Sequence, residues 1–444
     1  MKEFLLKTFL NNTKNIKVSK AKGIKIYSTN KKVYTDFTGG LTGHAILGWG
    51  NKKIIDKIKK QINKFHHVDY KVFDDPNREK LARKLLLNSK SGLDKLFLVG
   101  SSGAEACDAA MKLSYQYFYN LGKKNKRIFI SRKQSYHGCT SAPLSVSDRP
   151  NLHFFKPILN RNIKQISEHN YFRHGKKNES SEEYSNRCAK ELEEQILTTG
   201  PEKICAFIAE TFIGGLVGNC NNSKNYWKKI SRICRKYNIH IILDEVYCGT
   251  GTTGKTFAHD WENIKPDFVF LSKTLAAGYG ALSAVVTRKK IINVIKKGQG
   301  QIQYSNTHQG HSTSVAAALE VQNIINNSGF LNSVIKKGNF IRETLKSELY
   351  KNDFYLNVRG QGMRNSLEYK CSNQNLFGAH IKQRLLYNYR YIVDAKFHRI
   401  HLPLSLNVEQ KQLEKGLEVI IETFKYTQKN WNSLKKKNIK VYNF

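Results

Sequence analysis

The 444-residue sequence predicts an α/β protein with a large, mostly parallel-sheet domain and a smaller α+β domain after it. Three observations carry that expectation. From residue 94 to 288, short apolar runs alternate with amphipathic helical patterns, a strand–helix–strand rhythm with right-handed crossovers. Within it, Ile239 to Leu243 and Phe268 to Leu271 are short enough for buried parallel strands and end in Asp244-Glu245 and Ser272-Lys273. From Leu331 onward the rhythm gives way to a mixture of longer helices and short strands. A carboxylate and an amine at the carboxyl ends of strands lie where open α/β sheets bind ligands.

Taken in order, Lys17 to Thr38 alternates as short strands with a turn at Thr29-Asn30-Lys31, and a glycine-rich loop, Gly39 to His44, follows. Helices are expected over Asn51 to Phe65 and Asn77 to Leu87, then a strand over Lys95 to Val99. Gly100-Ser101-Ser102-Gly103-Ala104-Glu105-Ala106 comes directly after that strand and opens a helix to about Tyr119. Free helix amides behind small side chains can take an anion such as phosphate, although Ser102 would also serve as an ordinary cap. Arg127 to Ser131 reads as a strand, and behind it lies Ser135-Tyr136-His137-Gly138, where an aromatic beside a flexible residue can lie flat on a planar ligand. Asn151 to Ser185 is polar and reads as a long surface excursion without chemistry. A helix over Glu183 to Leu197, a buried strand over Ile204 to Ala209 ending in Glu210, and a helix over Lys224 to Tyr237 lead into Ile239. After Lys273 come a small-residue turn, a strand over Ser283 to Thr287, and Ser305 to His311 ahead of a helix over Thr313 to Ile325. The later block reads as helix to Leu349, strands near Tyr355 to Val358 and Asn365 to Tyr369, helix over Leu376 to Tyr387, strand over Arg399 to Leu402, and helix over Val408 to Phe424. A basic tail follows, with Trp431 and Tyr442 as anchors. The expected division is an N-terminal segment, 1–50, packing with the small domain; a large domain, 51–310; and a small C-terminal domain, 311–444.

Composition narrows the function classes. The formal net charge of +39 admits a nucleic-acid partner, but the lysines run along nearly the whole chain. No arginine-rich arm, finger spacing or RNP-like aromatic signature accompanies them, which favours a charged solvated surface. No run reaches the roughly 18 apolar residues of a membrane span, and Met1 to Leu10 does not read as a signal peptide. The eight cysteines show no C-x-x-C pair or other metal spacing, and they read as free thiols in a reducing cytoplasm.

A lysine that reaches an aldehyde, an acid at a strand end that keeps a ring nitrogen protonated, and a helix start that holds a phosphate together suit pyridoxal 5'-phosphate. The lysine forms the Schiff base and, once displaced by a substrate amine, can carry a proton. At this point the sequence resembles the class III pyridoxal-phosphate-dependent aminotransferases, the ω-aminotransferase group. The resemblance rests on Ser102-Gly103-Ala104-Glu105-Ala106, Ser135-Tyr136-His137-Gly138, Ala209-Glu210, Asp244-Glu245-Val246, Gly249-Thr250-Gly251-Thr252-Thr253-Gly254, Pro266-Asp267 and Ser272-Lys273, in that order. It runs from about Tyr34 to Phe424, and the 29-residue step from Asp244 to Lys273 suits it.

The resemblance implies a fold type I enzyme with Lys273 as the Schiff-base lysine and Asp244 as partner of the pyridine nitrogen. It implies Val246 and Tyr136 on the two ring faces, and Ser102, Gly103 and Ala104 on the phosphate. His137 and Glu210 belong to the cofactor-binding set, and Thr307 matches a threonine that reaches the phosphate of a neighbouring subunit, so a homodimer with shared sites is implied. The implied reaction is ping-pong amino transfer from an amine or ω-amino acid to an oxo acid such as pyruvate or 2-oxoglutarate. Thr252 stands where the family has arginine, Thr211 where it has proline, Gly280-Ala281-Leu282-Ser283 where it has A-P-L-G, and Gly48 to Lys52 where a G-H-x-H-P-like run is expected. Arg390 and Arg399 are candidates for a substrate carboxylate. The sequence leaves open a racemase, mutase or decarboxylase on the same fold, or a basic nucleic-acid-binding or non-catalytic homologue.

Overall fold

The computed structural model describes residues 15–87, 89–437 and 439; Met1 to Leu10 and Tyr442 lie outside them. A seven-stranded sheet forms the centre. In chain order its strands are β4 (Lys95–Leu98), β5 (Ile128–Arg132), β6 (Ile163–Ile166), β7 (Ile204–Glu210), β8 (His240–Asp244), β9 (Phe268–Leu271) and β10 (Ala284–Thr287). They lie in the order β4-β10-β9-β8-β7-β5-β6, with β10 antiparallel to both neighbours and the others parallel. The inner strands β8 and β9 are buried along their whole length, as their unbroken apolar runs require of strands covered on both faces.

Register decides which side chains meet. Glu210 pairs with Asp244 across β7 and β8, and Asp244 with Phe270 across β8 and β9. Asp267 fixes the start of β9, its carboxylate accepting the Ile241 N–H at 3.0 Å. The strand ends thus deliver Glu210, Asp244 and Lys273 to one edge. The N-terminal strands β1 (Val18–Lys22), β2 (Lys25–Ser28) and β3 (Val33–Asp36) form a second sheet.

The C-terminal block contributes β11 (Tyr355–Gln361), β12 (Arg364–Tyr369), β13 (Tyr391–Ile392), β14 (Asp394–Lys396) and β15 (Arg399–Pro403). Strand β13 closes the N-terminal sheet by parallel pairing with Thr35 and Asp36, while β11-β12-β15-β14 form an antiparallel sheet of their own. The helix Ser312–Ile325 packs on the helices Lys52–Ile62 and Pro76–Leu86.

Besides β13 and β14, which the sequence reading does not contain, two further elements depart from expectation. The polar excursion over Asn151 to Ser185 contains β6, an edge strand whose only apolar residues are Ile163 and Ile166; half-exposed at the sheet's rim, it carries no readable alternation. The helix Lys289–Lys297, unread in the sequence, buries Ile291 and Ile295 beneath a lysine-rich outer face. Trp431 is buried against Phe354 and Phe377, while Cys139 is exposed and Cys371 half-buried among the eight free thiols. No helix among the described residues is long and apolar enough to cross a membrane.

Candidate active site

A cavity of about 440 Å³ opens at the carboxyl ends of the central strands. Lys273 enters it from the turn after β9, with φ +32, a left-handed conformation that an L-residue adopts only when its surroundings hold it there. Ser272 anchors the turn through Oγ to the Leu282 carbonyl at 3.1 Å. The Lys273 amine has no hydrogen-bond or ion-pair partner among the described residues. Burial lowers its pKa, Asp244 pulls it back up, and Arg364 and Arg149 push it further down.

Asp244 is held from two sides. One oxygen accepts the Val246 N–H at 2.9 Å, and the other accepts from His137 Nδ1 at 2.8 Å. His137 is itself fixed by its N–H to Ser147 Oγ at 2.8 Å, and its Nε2 is buried without a partner. Glu210 lies one strand over, its Oε2 buried and unpartnered. Burial drives its carboxyl up to about 7 against the opposing charges of His137 and Arg132.

One wall of the cavity is built from the start of the helix Gly103–Asn120. Ser102 and Glu105 form a capping box, and the Glu105 carboxylate takes the Ser101 and Ser102 amides at 2.8 and 2.7 Å. The Ser102 hydroxyl is therefore engaged in the cap. The Gly103 and Ala104 amides, in the first turn, have no intrahelical acceptor. A Cβ on Gly103 would meet Val246 Cγ2 at 2.9 Å, so only glycine lets helix and Val246 close around the same space.

The departures from the family motif have local explanations. Thr211 supplies an N–H to the Asp244 carbonyl at 3.2 Å and a hydroxyl to Glu245 at 3.0 Å; a proline could give neither. The Thr252 hydroxyl donates to the Gly249 carbonyl at 3.0 Å. Arg364 donates through Nε to the Tyr247 carbonyl at 3.1 Å and through Nη2 to the Gly43 carbonyl at 2.8 Å, tying two walls of the site together. In the Gly48 to Lys52 run, Trp49 Nε1 donates to Asp36 at 3.0 Å and the Asn51 N–H to the Tyr279 hydroxyl at 2.6 Å.

Ser102, Gly103, Ala104, Tyr136, His137, Glu210, Asp244, Val246 and Lys273 all lie on this one cavity. Thr307 does not; it is exposed, its carbonyl accepting from His67 Nε2 at 2.9 Å. Arg390 is exposed in a turn with φ +57, and Arg399 is fully buried, its pKa brought down to about 10 by burial against the pull of Asp394. Neither borders the cavity. His44, Tyr247 and Cys139 do and were not singled out in the sequence, although His44 ends the glycine-rich loop and Tyr247 follows Val246 directly. Burial lowers the His44 pKa against the opposing charge of Asp36.

An unpartnered amine, a pinned carboxylate at the end of the neighbouring strand, and free helix amides beside a missing Cβ are the donor set that pyridoxal 5'-phosphate requires, so the residues fit that cofactor. Comparison with known proteins agrees. The chain matches the aminotransferase class-III family over residues 9–424. It is 34% identical over 358 residues to gamma aminobutyrate transaminase 2 of Solanum lycopersicum, spanning 79% of this chain and 77% of that one. With vanillin aminotransferase of Capsicum frutescens it shares 30% identity over 436 residues, 94% and 93% of the two chains. The omega transaminase of Pseudomonas jessenii, solved in complex with PMP, superposes with a TM-score of 0.88 at 27% identity, covering 95% of this chain and 94% of that one. The chain belongs to the class III aminotransferase family, enzymes of fold type I that work with pyridoxal phosphate.

Proposed function

We propose that the chain moves an amino group from an amine or ω-amino acid donor to an oxo acid such as pyruvate or 2-oxoglutarate. The observation that carries this reading is Lys273, a half-buried amine without a partner among the described residues, sharing one cavity with the pinned carboxylate of Asp244. The relatives' names add support, one being a gamma aminobutyrate transaminase and another a vanillin aminotransferase.

When bound, the cofactor supplies an electron sink that weakens a C–H bond next to the substrate nitrogen. Everything else falls to the chain. Lys273 would hold the cofactor and, once freed by a substrate amine, would carry a proton at Nζ; burial lowers its pKa, which favours the free amine. Asp244, kept in place by His137 and the Val246 N–H, would hold the proton on the ring nitrogen. Tyr136 and Val246 would flank the ring, and Gly103 and Ala104 would hold the phosphate, with Ser102 joining them if Glu105 releases its amide or hydroxyl; Glu210 lines the same cavity.

Thr307, away from its own cavity, serves the phosphate of a second copy, which makes the working form a homodimer. The same proposal includes a cytoplasmic location, supported by buried free thiols such as Cys107 and Cys205. The division into 1–50, 51–310 and 311–444 also stands as a proposal, supported by the β3–β13 pairing, with the helix Ser312–Ile325 bridging the two larger parts.

Borohydride reduction of the loaded protein followed by peptide mass spectrometry tests the central claim. The cofactor mass is expected on Lys273, and Lys273→Ala is expected to abolish amino transfer. A label on another lysine, or a Lys273→Ala variant that still turns over, removes the assignment.

A further inference from the structure

Among the described residues Arg149 has no counter-charge; it stands behind Tyr136, a wall of the cavity, without itself belonging to the lining. Its guanidinium lies over the ring of Tyr136, 4.6 Å from the centroid, and Tyr136 lines the cavity. The side chain is half-buried, its Nε is buried without an acceptor, and no other group among the described residues accepts from it. The adjacent acid is engaged elsewhere. Asp148 takes the Gln134 N–H at 3.0 Å through one oxygen and His153 Nε2 at 2.7 Å through the other.

The other arginines around the site are held by carbonyl acceptors, although Arg364 Nη1 and Arg132 Nε and Nη1 are also buried without a partner among the described residues. Arg364 donates to the Gly43 and Tyr247 carbonyls. Arg132 donates to the Glu210 carbonyl and packs on the rings of Tyr226 and Trp227. The site's own carboxylate, Asp244, is taken up by His137 and Val246. A guanidinium stacked on a tyrosine uses its charge and face there, and its N–H edge remains available for a planar anion.

We propose that Arg149 recognises the carboxylate of the substrate, on both the amino donor and the oxo acceptor. This assigns the protein to amino and oxo acids rather than to uncharged amines, and it rests on the aminotransferase reading above. A carboxylate meeting the terminal nitrogens of Arg149 gains a charge-assisted, bidentate pair. Its charge also contributes to the lowering of the Lys273 pKa, which a bound carboxylate would reverse in part.

The test compares donors that differ only in the carboxylate. Alanine, β-alanine and 4-aminobutanoate are each set against the alkylamine with the same carbon chain up to the carboxylate, and the cofactor absorbance change is followed without acceptor in the loaded protein. In Arg149→Met, the preference for the acid over its amine partner is expected to fall by roughly tenfold to a hundredfold. Arg149→Lys should keep part of it. A purely structural role would slow both donors alike and leave the ratio unchanged, which would overturn the proposal. So would an unsubstituted protein that prefers the alkylamine in every pair. A second readout needs no turnover: calorimetric binding of propionate to the loaded protein should weaken at least tenfold in Arg149→Met, by the same reasoning. If no amine changes the spectrum, the aminotransferase reading fails on its own, and equal propionate binding in both proteins still decides against Arg149.

Discussion

Asp244 and Glu245 are adjacent acids, and replacing each should have a different consequence. Glu245 is fully buried and does not line the cavity. Its carboxylate accepts the Ala258 N–H at 2.7 Å, the His259 N–H at 2.8 Å, His259 Nδ1 at 2.7 Å and the Thr211 hydroxyl at 3.0 Å. Glu245→Ala leaves those four donors without an acceptor. At about 1 kcal/mol or more for each buried donor, the loss should be on the order of 4 kcal/mol. Glu245→Gln keeps the oxygen that serves three of them and turns an amide N–H towards Ala258, for a loss of about 2 kcal/mol. Asp244→Asn keeps the acceptor for the Val246 N–H and loses only the charge facing His137, so stability should change by about 1 kcal/mol. Its amino transfer should fall by roughly a hundredfold or more. Equilibrium urea unfolding and steady-state kinetics on the three variants measure both quantities. Glu245→Ala within about 1 kcal/mol of the parent, or Asp244→Asn as destabilising as Glu245→Ala, would refute the division of labour.

Two further outcomes follow from packing and from burial. Gly338 sits inside the helix Phe330–Leu349, where alanine ordinarily adds about 1 kcal/mol. Here a Cβ would stand 2.0 Å from the Gly362 carbonyl oxygen, backbone that cannot move aside, so Gly338→Ala should lower stability by roughly 3 kcal/mol; a raised thermal midpoint would contradict it. Glu210 has a carboxyl raised by burial to about 7 from an ordinary 4.5, so the folded protein holds a proton there that the unfolded chain releases. Its contribution is therefore present below about 4.5 and is lost as pH rises to 7, by up to about 1.4 kcal/mol per pH unit. Glu210→Gln should flatten that part of the profile relative to the parent, and parallel profiles would show that Glu210 does not titrate there.

Much of the architecture was legible because the chain states it locally. The apolar runs ending in Asp244 and Lys273 appear as β8 and β9 at the expected positions, since a strand buried on both faces has no polar residues to obscure it. The small-residue turn before Ala104 appears as a capped helix start for the same local reason. Strand β6 and the helix Lys289–Lys297 were not legible, because half-exposed elements in a lysine-rich chain carry too few apolar positions to set a period. The departures at Thr211 and Thr252 read as unexplained substitutions until their hydrogen bonds were known.

By itself, the sequence determined the family, the cofactor chemistry and the residues at the two strand ends, because each is written in contiguous motifs from Ser102 to Lys273. Only the tertiary structure decided what surrounds them. It separated Asp244 from Glu245, placed Arg364 of β12 between Gly43 and Tyr247, took Arg390 and Arg399 away from the cavity, and left Arg149 unpaired over Tyr136. These relations join residues from distant parts of the chain through packing and strand register, and a guanidinium acquires or lacks a counter-charge only once the fold has chosen its neighbours.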